Sequence, residues 1–501
     1  MGYHSISYFA FFLPLAMIAY QVVPQKYRKF VLLLANAVFF WIQSKFLIVY
    51  ISLEILLVYF FGKKLGSMKK GTMDRKVFQK KKARVLRIGV LLLLGILIAL
   101  KYTNFLGETF ISGYQKINIL VPIGISYYTL QGISYLSDVK NKKYPSGSLM
   151  QVALYLSFFP TIMEGPITRF NEVGEDLIAG EKLNGRNVTM GYERILWGLF
   201  KKLCIADHLG PAVNYLFDHW DGSGVLALLG AVLCTIQLYM DFAGTIDIAI
   251  GSAEIFNVTL PENFRQPFFA KNAGDFWHRW HITLGTFFRD YIFYPVSLSK
   301  PVQKLTKKCN GISKKLGRYI GPSIALLLVW LANGFWHGAN WTYVGYGLYY
   351  FVLMFIEQLF TKPFEERCRR VHLDGWPLRI FRFVKLFIIV IIGEMFFRAA
   401  TFSNGWKMFT AILTDHNLTL LRARIGMMEF DSYDFVSVGI CFIVVIIVSV
   451  MEERGIHTAD EFQKKPLVFR WMMLYILLFV VITFGAYGSG YGKAAMMYAG
   501  F

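Results

Sequence analysis

Apolar segments close to the width of a bilayer recur along this chain from one end to the other, and no other feature limits its fold so tightly. A helix needs about 20 consecutive apolar residues to cross the hydrocarbon core, and in lipid the backbone must satisfy its own hydrogen bonds. Such stretches fall at roughly 5–23, 29–47, 47–62, 84–103, 117–136, 150–166, 190–215, 224–251, 319–337, 341–361, 380–400, 434–452 and 467–488. Several are short or adjoin one another, so about eleven to thirteen helices are expected. With 55% hydrophobic and 17% aromatic residues and a mean hydropathy of +0.45, the chain reads as an all-α, polytopic transmembrane bundle. Residues 5–23 lack a charged leader and a small-residue cleavage site, so they read as a retained first span. No inverted internal repeat of the transporter kind is visible. The expected organisation is a single membrane domain over 1–501, with a core at about 90–400 and peripheral helices at 1–62 and 434–488.

The formal charge of +21 sits between the apolar runs. Lys63 to Arg87 is dense in Lys and Arg, with Asp74 its only acid; 300–318 and 362–383 are also basic, and 453–466 is a short mixed-charge loop. Two spans separate each of the last three from the next, so all can lie in the cytoplasm, with both termini outside. No zinc finger or recognition motif accompanies these charges, which excludes a nucleic-acid partner. Of five cysteines, Cys204, Cys234 and Cys441 lie in apolar runs and Cys309 and Cys368 in basic loops, so no disulfide framework is implied.

Two stretches depart from the span pattern. The first is Asp275-Phe-Trp-His-Arg-Trp-His-Ile-Thr-Leu-Gly-Thr-Phe-Phe-Arg-Asp290, apolar enough to be buried and too charged to face lipid. On a continuous helix Trp277, His281, Leu284, Phe288 and Ile292 share one face, which buries His281. Irregular or in-plane structure at membrane depth requires protein or a water-filled cavity around it, so re-entrant helices around a central tunnel are expected. The second is Leu331-Ala-Asn-Gly-Phe-Trp-His-Gly-Ala-Asn-Trp-Thr342, where an apolar helix ends in His337 between two glycines. Intramembrane ionisable groups are functional by default; the plainer alternative is an interfacial helix end with a hydrogen-bonded histidine and an aromatic belt. Asn333, Trp336, Asn340, Trp277, Asp241 and Gln237 are candidates to line a substrate tunnel. Glu54, Gln131, Glu164, Arg169, Asp247, Glu394 and Arg398 read as interior residues paired for structure.

His278, His281 and His337 make a poor metal set, with no carboxylate or thiolate placed to complete it, so no metal is expected. Nucleophile-elbow and phosphate-loop patterns are absent, and Gly488-Ser-Gly490 reads as a turn in a Gly/Tyr-rich tail. What remains is His281 and His337, side chains able to take and return a proton near neutral pH. A transporter or a scaffold for a secreted transferase are the readings from other classes.

At these residues the chain resembles the membrane-bound O-acyltransferase family, in its bacterial polysaccharide-acetylating branch. The resemblance covers most of the chain. It runs through Lys101-Tyr-Thr-Asn-Phe105, Val121-Pro-Ile-Gly-Ile-Ser126 to Asp138, Phe159-Pro160, Gly165-Pro-Ile-Thr-Arg169, Gly198-Leu-Phe-Lys-Lys202 and Ala206-Asp207. It continues through Asp241-Phe242, Leu260-Pro-Glu-Asn-Phe264, Asp275–Asp290, Trp336-His-Gly338 and Phe396-Phe-Arg-Ala399. Departures are His278, Ala243-Gly-Thr-Ile-Asp247 and Glu164. The resemblance implies catalytic roles for His337, as general base or proton shuttle, and for His281, orienting it or hydrogen-bonding the acyl carbonyl. It implies acetyl-CoA or another acyl thioester as donor substrate, with no permanently bound cofactor. The implied acceptor is an extracytoplasmic polysaccharide, reached directly or through a secreted SGNH-type partner, from the bacterial plasma membrane. D-alanyl transfer to teichoic acid from a carrier protein is the related alternative.

Overall fold

A computed structural model describes residues 2–373, 375–428 and 430–487. The turn expected at Gly488–Gly490 lies outside the described residues. Helices dominate, and no named strand occurs among the described residues. Seven helical stretches there are long and apolar enough to cross a membrane: Gln25–Ser67, Arg75–Lys101, Gly224–Ile255, Gly317–His337, Trp341–Arg370, Ser432–Glu453 and Leu467–Phe484. The chain is thus a polytopic helical membrane protein.

The described chain forms two compact units. Unit 1 is Met1–Ile195 with Thr245–Pro261. Its basic segment is less of a loop than expected, because helices Ile48–Ser67 and Arg75–Lys101 extend into it from both sides. Lys and Arg are good helix formers, and Asp74 caps the second helix by accepting from Lys76 N at 2.7 Å and Val77 N at 3.3 Å. The stretches expected at 117–136 and 150–166 are not unbroken spans. Their helical parts are Ile125–Lys140 and Leu149–Ser157, and the irregular backbone at 158–169 is buried in protein. Interior polar groups pair as expected: Thr129 Oγ1 donates to both Glu54 carboxylate oxygens, Gln131 Nε2 donates to Thr168 Oγ1, and Arg194 bonds Asp247.

Unit 2 is Leu196–Gly244 with Glu262–Phe501. One hydrophobic cluster packs Leu203–Ile205 and Leu209–Leu216 against Val438, Cys441 and Val445 of the helix Ser432–Glu453 and Val481 of the helix Leu467–Phe484. All five cysteines are free and buried. Helix Lys314–His337 lies against helix Trp341–Arg370 at glycine contacts. A Cβ on Gly334 would lie 2.4 Å from the Tyr343 carbonyl oxygen, and one on Gly347 would lie 2.3 Å from that of Trp330. Only glycine allows backbones this close. Helix Trp376–Arg398 joins the second of these through Glu357–Lys385 and Glu365–Arg382 ion pairs.

Candidate active site

The stretch 263–288 folds differently from the continuous helix expected of it. Helix Ala273–Arg279 begins at Asn272, whose side chain accepts from Asp275 N at 2.8 Å, while Ala273 N donates to Glu357 Oε2 at 2.9 Å. It stops at Trp280, which turns extended and pairs with Phe264 as an antiparallel bridge. The flanking backbone bonds are Arg265 N to Arg279 O at 2.9 Å and Ile282 N to Asn263 O at 3.0 Å. A second helix then runs Ile282–Phe288. His281 occupies the break with φ +47° and ψ +52°, a left-handed conformation that costs a non-glycine residue about 1–3 kcal/mol. The helical wheel was therefore wrong in form, yet His281 is buried, because the bridge and not a helix face turns it inward. Arg279 pairs with Asp275 and Glu453, and Arg289 with Asp290.

His281 is 3% exposed. Its ring stands edge-on to Phe242 (centroids 4.8 Å apart) and to Trp336 (5.4 Å). Nδ1 lies 3.2 Å from Asn263 Oδ1. The same oxygen accepts from Thr283 N at 3.0 Å and Thr283 Oγ1 at 2.9 Å. Nε2 is sealed from solvent and has no hydrogen-bond partner among the described residues. This segment lies outside the seven spans, and burial pushes the imidazole down to about 3, so it is neutral at physiological pH.

His337 is the last residue of its helix and is 2% exposed. Trp336 (4.9 Å), Phe397 (5.1 Å), Tyr346 (5.9 Å) and Tyr343 (6.4 Å) surround its ring. Trp336 is thus the common neighbour of both imidazoles, and one indole's reach separates residues 56 positions apart in sequence. Behind Tyr346, its hydroxyl donates to Glu394 Oε1 at 3.4 Å, and Glu394 Oε2 is buried without a hydrogen-bond partner among the described residues.

The other candidates fall into two groups. Trp277 packs edge-on against Trp330 (4.9 Å) and Tyr350 (4.8 Å) and also meets Tyr346 (6.2 Å). The Nε1–H groups of Trp277 and Trp330 and the Asn333 Oδ1 are buried without hydrogen-bond partners among the described residues. Asn340 instead caps helix Trp341–Arg370, accepting from Thr342 N at 3.0 Å. Asp241 belongs to a buried ion cluster: Lys202 Nζ is 2.6 Å from both Asp207 Oδ1 and Asp241 Oδ1. Lys202 opens the π-helical turn Lys202–Ala206, the kind of helix irregularity common near functional sites. Gln237 is half-buried beside Gly210. His278 is exposed, and no cluster of three metal-ligating side chains occurs among the described residues. Sequence reasoning gave no role to Asn263, Tyr346 or Lys202. Asn263 carried a signal, a polar residue at the end of Leu-Pro-Glu-Asn beside two prolines, but its partners are set by a bridge that no periodicity reveals.

Two buried imidazoles around a shared indole, with unpartnered polar atoms nearby, suit proton transfer on a substrate held away from bulk water. Comparison with known proteins gives the family. Residues 6–400 match the model of the membrane-bound O-acyltransferase family. The chain is 31% identical to the probable alginate O-acetylase AlgI of Pseudomonas aeruginosa, over 83% of this chain and 75% of that one. It is 28% identical to the peptidoglycan O-acetyltransferase of Helicobacter pylori, over 68% and 67%. It is 30% identical to the teichoic acid D-alanyltransferase of Bacillus subtilis, over 57% and 71%. A helical membrane protein with two histidines gathered at one indole, matched over residues 6–400, this chain belongs to the membrane-bound O-acyltransferase family and is an O-acyltransferase.

Proposed function

We propose that this O-acyltransferase moves an acetyl group from acetyl-CoA at the cytoplasmic side of a bacterial plasma membrane to a hydroxyl of an exported or cell-surface polysaccharide. Transfer runs through a tunnel and is direct or completed by a secreted SGNH-type partner; both termini lie outside. His337 takes the proton of the attacking hydroxyl as its oxygen bonds to the thioester carbonyl carbon, and the proton passes to the sulfur as the C–S bond breaks. The basic segments at 63–87, 300–318 and 362–383 attract the anionic donor. The observation that carries the reading is the pairing of His281 and His337 around Trp336. The likeness to proteins named for alginate and peptidoglycan acetylation supports the acceptor class.

The test uses the purified full chain in nanodiscs with radiolabelled acetyl-CoA and either alginate oligomers or peptidoglycan glycan fragments, with and without a secreted partner. Label should enter an acceptor, and His337→Ala should abolish incorporation; an unchanged rate in that variant overturns the reading. The Bacillus subtilis likeness favours a second reading, D-alanyl transfer from a carrier protein. Transfer from a D-alanyl-loaded carrier and none from acetyl-CoA would establish it.

A further inference from the structure

Asn263 leaves His281 only one arrangement of its proton. An amide can present either its oxygen or its nitrogen to a neighbour, and here the backbone decides which. Thr283 N is an obligatory donor 3.0 Å from the Asn263 side chain, so the atom it meets must be the oxygen. Turning the amide over would set N–H against N–H. Asn263 holds this orientation although its own Nδ2 is buried without a hydrogen-bond partner among the described residues. His281 Nδ1 faces the same oxygen at 3.2 Å, and two lone pairs would repel there, so Nδ1 carries a hydrogen and donates it. A neutral imidazole has a single N–H. Nε2 is then a bare lone pair, buried and unpartnered. The left-handed backbone at 281 and the Phe264–Trp280 bridge hold the ring in place beside Trp336.

We propose that Asn263 is a positioning residue that fixes His281 as the Nδ1–H tautomer, so that Nε2 accepts a hydrogen bond from a hydroxyl of the acceptor sugar beside the attacking one and cannot donate one to the acyl carbonyl. The role expected for His281 as a donor to the developing oxyanion is excluded by this geometry. His281 instead orients the acceptor sugar, whose attacking hydroxyl gives its proton to His337. The tautomer follows from the Asn263 hydrogen bonds together with the burial that keeps the ring neutral, whereas its use in acyl transfer rests on the function proposed above.

The decisive measurement is the 15N spectrum of [15N]histidine-labelled full chain in lipid nanodiscs at neutral pH, with His281 assigned by difference against His281→Gln. Wild type should show a protonated-type Nδ1 and an unprotonated-type Nε2 at residue 281. Asn263→Asp, which keeps an acceptor in place, should preserve that pattern, and Asn263→Leu should lose it. With acetyl-CoA and alginate oligomers or glycan fragments as probes, Asn263→Leu should lower kcat about 10- to 100-fold with little change in KM for acetyl-CoA, and Asn263→Asp should recover most of the rate. A protonated Nε2 in wild type overturns the proposal, as does an Asn263→Asp variant as slow as Asn263→Leu. The wild-type spectrum needs only a folded His281→Gln reference for assignment and no acceptor, so failure of the tautomer assignment is distinguishable from absence of acyl transfer.

Discussion

Lys202 offers the sharpest test of how the site is held. Its Nζ sits 2.6 Å from carboxylate oxygens of both Asp207 and Asp241, and the three side chains are 1%, 7% and 3% exposed. Replacing Lys202 by Met removes the cation that both carboxylates share and leaves its apolar stem roughly filled. Breaking a buried pair by deleting one partner costs about 3–5 kcal/mol, mostly as uncompensated buried charge. At 1.4 kcal/mol per decade, that is roughly a 100- to 4,000-fold fall in the folded-to-unfolded ratio. Asp241 precedes Phe242, whose ring meets His281 edge-on at 4.8 Å, so the loss should also appear as slower acyl transfer in whatever folds. The assay is denaturant unfolding in nanodiscs of Lys202→Met, Asp207→Asn with Asp241→Asn, and the triple variant. The triple variant should recover most of the loss, since neutral groups of the same shape carry no unpaired charge. A Lys202→Met protein as stable as wild type, or a triple variant no better than the single, would refute the reasoning.

Gly347→Ala should cost about 1–3 kcal/mol and depress acyl transfer, because its Cβ would meet the Trp330 carbonyl at 2.3 Å and push the His337 helix aside; unchanged thermal unfolding and rate would contradict this. Glu394→Gln, which keeps an acceptor for the Tyr346 hydroxyl, should be milder than Glu394→Leu, which loses it at about 0.5–1.5 kcal/mol; unfolding of the two variants checks the order. Burial lowers His281 from 6.5 to about 3, so below pH 6.5 the unfolded chain binds a proton there that the native chain does not. Stability from this group is complete above pH 6.5 and falls as the pH drops, by about 2 kcal/mol at pH 5, and His281→Gln should remove that part of the slope.

The class of fold was legible because bilayer physics leaves few solutions for repeated apolar runs, and the motifs around His281 and His337 supplied the family. Their burial was legible too, since each interrupts an apolar stretch with tryptophan and glycine around it. What could not be read was how they are held. Periodicity treats 275–290 as one helix, but Trp280 leaves it to pair with Phe264, a contact between segments that no local pattern encodes. Asp241 read as a tunnel candidate from its place in an apolar run, whereas its carboxylate lies against Lys202, 39 positions upstream in sequence. Asn340 read as a polar group with a purpose in the membrane, and the purpose the structure gives it is to start the next helix.

Glu357 takes an amide hydrogen from Ala273 on one oxygen and an ammonium hydrogen from Lys385 on the other. A single carboxylate therefore buckles three pieces of chain together: the start of the His281 segment, the helix carrying Tyr346 and the helix carrying Glu394. With that fastening and the Glu365–Arg382 pair made between the helices themselves, their alignment does not rest on the connecting segment alone. Insertions or an epitope tag near Gly375 should leave catalysis intact, which makes that turn the natural place to attach a reporter.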